Sequence, residues 1–181
     1  IKNIKSESQI LTVGFNRRFS PFIIKIKNQL DYLDGPYSFI YTCNAGFIDK
    51  NHWTQSPQIG GGRLIGEACH FVDLLRYLAD SPIAEIFCFN AKDDKSCPDT
   101  FSIQIVFSSG SIGTIHYCAN GHKSFPKENL QIFANGKIMI LKNFKSLKGC
   151  GLDYKFSYRK FFQDKGQNNC VKAFLKAIEA K

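Results

Sequence analysis

Gly60-Gly61-Gly62-Arg63-Leu64-Ile65-Gly66-Glu67-Ala68-Cys69-His70-Phe71-Val72-Asp73 is where the chain changes its period. Before it, residues 44–62 show little periodicity and hold His52, Trp53 and Pro57. After it, Leu64, Ile65, Ala68, Phe71, Val72, Leu74, Leu75 and Leu78 recur at helical spacing, ending near Asp80-Ser81-Pro82. A long ordered loop without periodicity is usually functional, and this one delivers the chain onto a helix. On that helix Glu67, His70 and Asp73 stand three apart, roughly on one side. A carboxylate one turn from an imidazole can fix its tautomer and raise its basicity, leaving the other nitrogen to handle a proton. The same spacing also suits a salt-bridged surface or a satisfied core histidine. Glu67, His70 and Asp73 with His52 would also be donors for a metal, but no second paired motif supports one, so no metal is expected.

Working outward, residues 8–15 (SQILTVGF) read as a short strand rich in β-branched residues, running into Asn16-Arg17-Arg18. Ser20-Pro21 opens a helix, with Ser at the N-cap and Pro at the first helical position, and Asp34-Gly35-Pro36 closes it. Tyr37–Cys43 is a second strand. Beyond the central helix strands dominate, over 83–90, 100–107, 111–119, 129–134 and 137–141, with Asn135-Gly136 a strong hairpin signal. The stretch KIMILKNFKSLKG alternates apolar and basic residues like a strand with one wet face, and residues 150–163 are aromatic and read as a further strand. A last helix from about Gln167 to Ala180 carries Val171, Phe174, Leu175 and Ile178 on one face. Strands joined by short hairpins run antiparallel, so the expected class is α+β: an open, largely antiparallel or mixed sheet with helices packed on one face.

Composition narrows the function classes. With 181 residues, 44% of them apolar, the chain is neither disordered nor fibrous, and no apolar run spans a bilayer. The charge of +9, from 24 basic against 15 acidic residues, comes without any RNP, zinc-finger or helix-turn-helix pattern. Nucleic acid is therefore not the expected partner, although a basic surface could steer an anionic small substrate. The seven cysteines, at 43, 69, 88, 97, 118, 150 and 170, form no C-x-x-C pair. They read as reduced, mostly buried thiols in a reducing compartment, by default the cytoplasm. His116 and His122 read as structural.

The block GGGRLIGEACHFVDLLRYL resembles the first helix of the C-terminal domain in the glucose–fructose oxidoreductase / inositol dehydrogenase (Gfo/Idh/MocA) family. VGFNRRFSP resembles the last strand of that family's Rossmann domain and the entry to the next helix, NAGFIDKNHW its substrate-facing loop, and QDKGQNNCVKAFLKAI its closing segment. The resemblance runs over nearly the whole chain and is nearest to members of bacterial surface-polysaccharide biosynthesis. It implies that residues 1–15 are the remnant of the last Rossmann strand and that 16–181 form a substrate-binding and oligomerisation domain. It also implies an enzyme using NAD or NADP on a sugar or nucleotide-sugar, a Rossmann domain on the N-terminal side, and a homo-oligomer built through the sheet face.

Residue by residue, the resemblance puts His70 on the family's active-site histidine, the acid/base at the substrate hydroxyl, with Glu67 in support. The family's catalytic Asp position is occupied by Gly66, and one residue of offset turns a helix by about 100°. Asp73 falls on a second acidic position. Asn44, Trp53, Arg63 and Asp73 are candidate substrate contacts, Arg63 as a clamp on an anionic group and Trp53 as a ring that stacks on a sugar or anchors its loop. Asn16 and Arg17 are candidate cofactor contacts or interdomain packing. The family's Gly-rich turn and Glu-Lys-Pro lysine do not occur in this sequence, so the chain alone is expected to bind no cofactor and not to turn over. The alternative is a non-catalytic binding or assembly module.

Overall fold

A computed structural model describes residues 10–92, 99–153 and 156–180. The elements run α1 (Pro21–Leu30), β1 (Ser38–Asn44), α2 (Cys69–Ala79), β2 (Ile83–Asn90), β3 (Phe101–Phe107), β4 (Ile112–Cys118), β5 (Glu128–Ala134), β6 (Lys137–Lys142), β7 (Ser146–Cys150), β8 (Ser157–Arg159) and α3 (Gln167–Glu179). One eight-stranded sheet has the order β2-β3-β4-β1-β5-β6-β7-β8. Every neighbouring pair is antiparallel except β1 with β4, which run parallel with Ser38 opposite Ile112. This is the expected class, a mixed and mostly antiparallel sheet.

Alternation along the strands decides which face carries the core. Phe39, Tyr41 and Cys43 of β1, Ile115 and Tyr117 of β4, and Leu130 and Ile132 of β5 are all buried. They join one core with Phe22, Ile23, Ile26 and Leu30 of α1 and Phe71, Leu74, Leu75 and Leu78 of α2. The intervening Ile40, Ile112 and Phe133 are exposed on the opposite face. Helix α1 begins as the Ser-Pro pair predicts, but the Ser20 hydroxyl donates to the Asp164 carbonyl (2.7 Å) instead of capping its own helix.

Three expectations need correction. Over residues 10–15 the chain forms no strand; Leu11 and Val13 stay exposed because no neighbour pairs with them, and residues 1–9 lie outside the described ones. KIMILKNFKSLKG is two strands, β6 and β7, because Asn143 (φ 50°) and Phe144 (φ 52°) make a tight turn without glycine. The thiols are less buried than their apolar neighbours suggested: Cys43 and Cys170 are buried, but Cys88 and Cys150 are exposed, and Cys97 lies outside the described residues. Cys88 sits on β2, whose helix side faces a groove instead of a packed layer. No helix among the described residues is long and apolar enough to cross a membrane.

Candidate active site

The run Gly60-Gly61-Gly62 shapes the approach to the central helix. A Cβ on Gly60 would come within 2.5 Å of Thr54 Cα, and Gly61 (φ 68°) and Gly62 (φ 78°) are left-handed. Helix follows at once, but as a π turn over Leu64–Ala68 before α2 proper. Such turns recur at functional sites, and this one stands directly before His70.

His70 is half-buried, with Phe15 edge-on to its ring at 5.6 Å. Its Nδ1 is fully buried and has no hydrogen-bond partner. Burial, then the nearby Arg17 charge, hold the imidazole below its ordinary pKa, against the weaker opposing pull of Asp73, Glu128 and Glu67. The ring is thus neutral at neutral pH and able to accept a proton.

The flanking carboxylates do not form the expected relay. Glu67 accepts from Arg63 Nε at 3.2 Å, and Asp73 is held by both arms of the Arg18 guanidinium, with Nε at 3.0 Å from Oδ2. Charged donors win both carboxylates, since a charge-assisted bond outcompetes one to a neutral ring. Asp73 is a strut between α2 and the turn Asn16–Phe19. Glu67 retains partial exposure at 38% and its charge raises the Tyr117 phenol, which burial already lifts far above its ordinary value.

Arg63 is not an exposed clamp. It is 3% exposed, donates to the carbonyls of Gly46 (2.7 Å) and Ala45 (3.4 Å), and lies 5.0 Å over the Tyr117 ring. It ties the loop after β1 to the π turn. Asn44 is also committed: its Nδ2 donates to the carbonyls of His122 (2.8 Å) and Phe125 (3.2 Å), while Oδ1 is buried without a partner. Trp53 differs. It stands on a short helical turn, Trp53–Gln55, 61% exposed beside His52, so it does not anchor the loop on the sheet.

Asn16 and Arg17 are held within the domain. Asn16 Nδ2 donates to the Lys165 carbonyl at 2.9 Å. Arg17 makes a two-pronged pair with Glu128 (2.8 and 3.1 Å) and stacks 4.8 Å over Phe71. Both side chains are thus engaged with partners in this domain. Lys165 and the Tyr41 hydroxyl donate to the same Glu128 carboxylate. Sequence reading passed over Glu128, although its alternation with Leu130 and Ile132 puts a carboxylate on the buried face of β5. Among the described residues no group of three or more His, Cys, Asp or Glu side chains could hold a metal ion.

Comparison with known proteins adds the following. A family model described as the GFO/IDH/MocA C-terminal domain matches residues 36–137. The protein YteT of Bacillus subtilis (strain 168), whose name provisionally marks it an oxidoreductase, is 33% identical over 95 residues, covering 48% of this chain and 22% of its own length. A levoglucosan dehydrogenase solved in complex with NADH and levoglucosan superposes with a TM-score of 0.77 at 18% identity, over 96% of this chain and 58% of that one. A dehydrogenase (MviM) from Clostridium difficile superposes with a TM-score of 0.71 at 21% identity, over 96% and 55%. At such identities the two structures speak for the fold. The chain spans little more than half the length of either, and about a fifth of YteT.

Proposed function

This chain belongs to the GFO/IDH/MocA family through its C-terminal domain, and from that premise we propose that it is the substrate-binding domain of an NAD(P)-dependent sugar oxidoreductase with His70 as the acid/base. The observation that carries the reading is the state of His70: a half-buried ring, neutral by burial and by the Arg17 charge, with Nδ1 sealed from solvent. A neutral imidazole can take the proton of a substrate hydroxyl as the carbon beneath it is oxidised. Hydride acceptance is chemistry that a dinucleotide held outside this domain supplies.

Glu67 supports the site through its charge and through Arg63, without bonding the ring. Trp53 offers an exposed ring face to a sugar. The side chains of Asn16 and Arg17 brace the segment that leads to a Rossmann domain on the N-terminal side, with residues 1–15 as the last of that domain's chain. The substrate is a sugar or nucleotide-sugar, and surface-polysaccharide biosynthesis is a setting that would use it. Copies pair through the open sheet face.

The test is kinetic and uses the full-length enzyme. His70→Asn should lower kcat on its sugar by about 10²–10⁴-fold with KM little changed, the usual contribution of a general acid/base. Unchanged turnover would remove His70 from the chemistry. One observation favours a second reading, a sugar-binding module without catalysis: Gly66 supplies no carboxylate and Glu67 is tied to Arg63. Sugar binding without any cofactor-dependent turnover would select it.

A further inference from the structure

Beyond β1 lies a pocket of about 450 Å³ that the proton chemistry at His70 does not use. Asn44, Phe47, Lys123, Phe125, Lys127 and Asn143 are among its lining residues, and no lining residue is a carboxylate. Neither Lys123 nor Lys127 forms an ion pair among the described residues, whereas Lys27, Lys160 and Lys165 all do. Two unpaired ammonium groups thus share one concavity with two exposed rings, Phe47 at 74% and Phe125 at 55%.

The walls are built before any ligand arrives. Asn44, 9% exposed, gives both of its amide hydrogen bonds to the loop that follows β4. That loop is folded on itself by Phe125 N to the His122 carbonyl (3.1 Å) and Ser124 N to His122 Nδ1 (3.2 Å). It passes so near that a Cβ on Gly121 would sit 1.9 Å from Asn44 Oδ1. On the other side Asn143 Oδ1 accepts from Glu128 N at 2.9 Å, fixing the turn against the start of β5. A lysine is a point charge on a flexible stem, so a rigid loop beneath it lowers the ordering cost of binding an anion.

We propose that this pocket receives the phosphoryl group of a phosphate ester carried on a ring, the phosphate meeting Lys123 and Lys127 and the ring lying against Phe47 and Phe125. The inference rests on the sugar-binding reading above and narrows its substrate to phosphorylated sugars or nucleotide-sugars. The pocket and His70 share one framework, since Arg63 fixes the Ala45 and Gly46 carbonyls at the pocket's edge and also holds Glu67 one turn before His70. Arg63, the expected anion clamp, instead supports the wall of the pocket that takes the anion.

The test is an NMR titration of the chain with inorganic phosphate, glucose 1-phosphate, uridine diphosphate and glucose. The phosphate-bearing probes should shift the amides of Lys123, Ser124 and Lys127. Lys123→Ala and Lys127→Ala should each weaken binding about tenfold, the worth of one charge-assisted contact, and raised salt should weaken it further. Tighter binding of uridine diphosphate than of glucose 1-phosphate assigns the phosphate to a nucleotide, and the reverse order to a sugar phosphate. Three outcomes overturn the proposal: no saturable shift with any phosphate, affinity unchanged in the double variant, or glucose binding there as tightly. A failed His70→Asn experiment would leave this result standing, because it reads binding and not turnover.

Discussion

Glu128 is a carboxylate on the helix-covered side of the sheet, 1% exposed, receiving bonds from Tyr41, Arg17 and Lys165. Burial alone would raise its pKa, but the bonds and charges of Arg17 and Lys165 win and hold it near about 2, against an ordinary 4.5. Removing one partner of a buried pair leaves the others uncompensated, so Glu128→Gln should destabilise the domain by about 3–5 kcal/mol in urea unfolding. A loss under about 1 kcal/mol would show the network to be hydrated. The pH dependence has a definite sign. Because the folded pKa is depressed, the Glu128 contribution is complete above 4.5 and disappears as the pH falls toward about 2. His70 is also depressed, below 6.5, so the unfolded chain takes up that proton first and stability begins to decline below pH 6.5. Both groups weaken the fold in acid, and Glu128→Gln should abolish the lower limb only.

At the scale of elements, the π turn over Leu64–Ala68 holds Gly66 where space is not limiting, since a Cβ there would meet only the Gly60 carbonyl oxygen, at 4.0 Å. Gly66→Ala should therefore raise stability by about 0.5–1 kcal/mol, the entropy a helical glycine forfeits, in thermal unfolding. A destabilised variant would mean that the turn needs the glycine's freedom. The sequence made α1, α2, α3 and the first six strands readable because each obeys a local rule: Ser-Pro at a helix start, apolar residues at helical period, Asn-Gly between alternating runs. The β6–β7 turn was not readable, because Asn143-Phe144 carries no glycine and Phe144 is held left-handed by its burial in the core at 1% exposure. The site shows the same division. The helix that carries His70 could be read from spacing and a role for His70 only from the family resemblance, whereas the partners of Glu67, Asp73, Arg17 and Arg63 are settled by which opposite charge tertiary packing brings nearest. Arg18 is 55 positions from Asp73 and Glu128 is 111 from Arg17, distances that no periodicity spans.

Across the whole molecule, one side of the sheet is covered by helices and the other leaves Ile40 (39%), Ile112 (52%) and Phe133 (37%) in solvent. Pairing through that open face, as proposed, predicts a dimer or larger assembly in sedimentation equilibrium. Ile40→Lys with Phe133→Lys should return it to a monomer with its helical and sheet content intact, and a wild-type monomer at every concentration would remove the proposal. Strand β1 has a further consequence. It lies between two meanders, β2-β3-β4 on one side and β5-β6-β7-β8 on the other, and is bonded to both. Each meander pairs strands that follow one another in sequence, while joining β1 to β4 closes the chain from Ser38 to Ile112 and to β5 from Ser38 to Phe133. Loop closure grows less favourable with length, by about 0.6 kcal/mol per doubling, and contacts so distant in sequence slow folding. β1 is therefore a keystone strand: the two meanders can form early, but they become one sheet, with Asn44 and the walls around it in place, only when the seven residues of β1 slot between them.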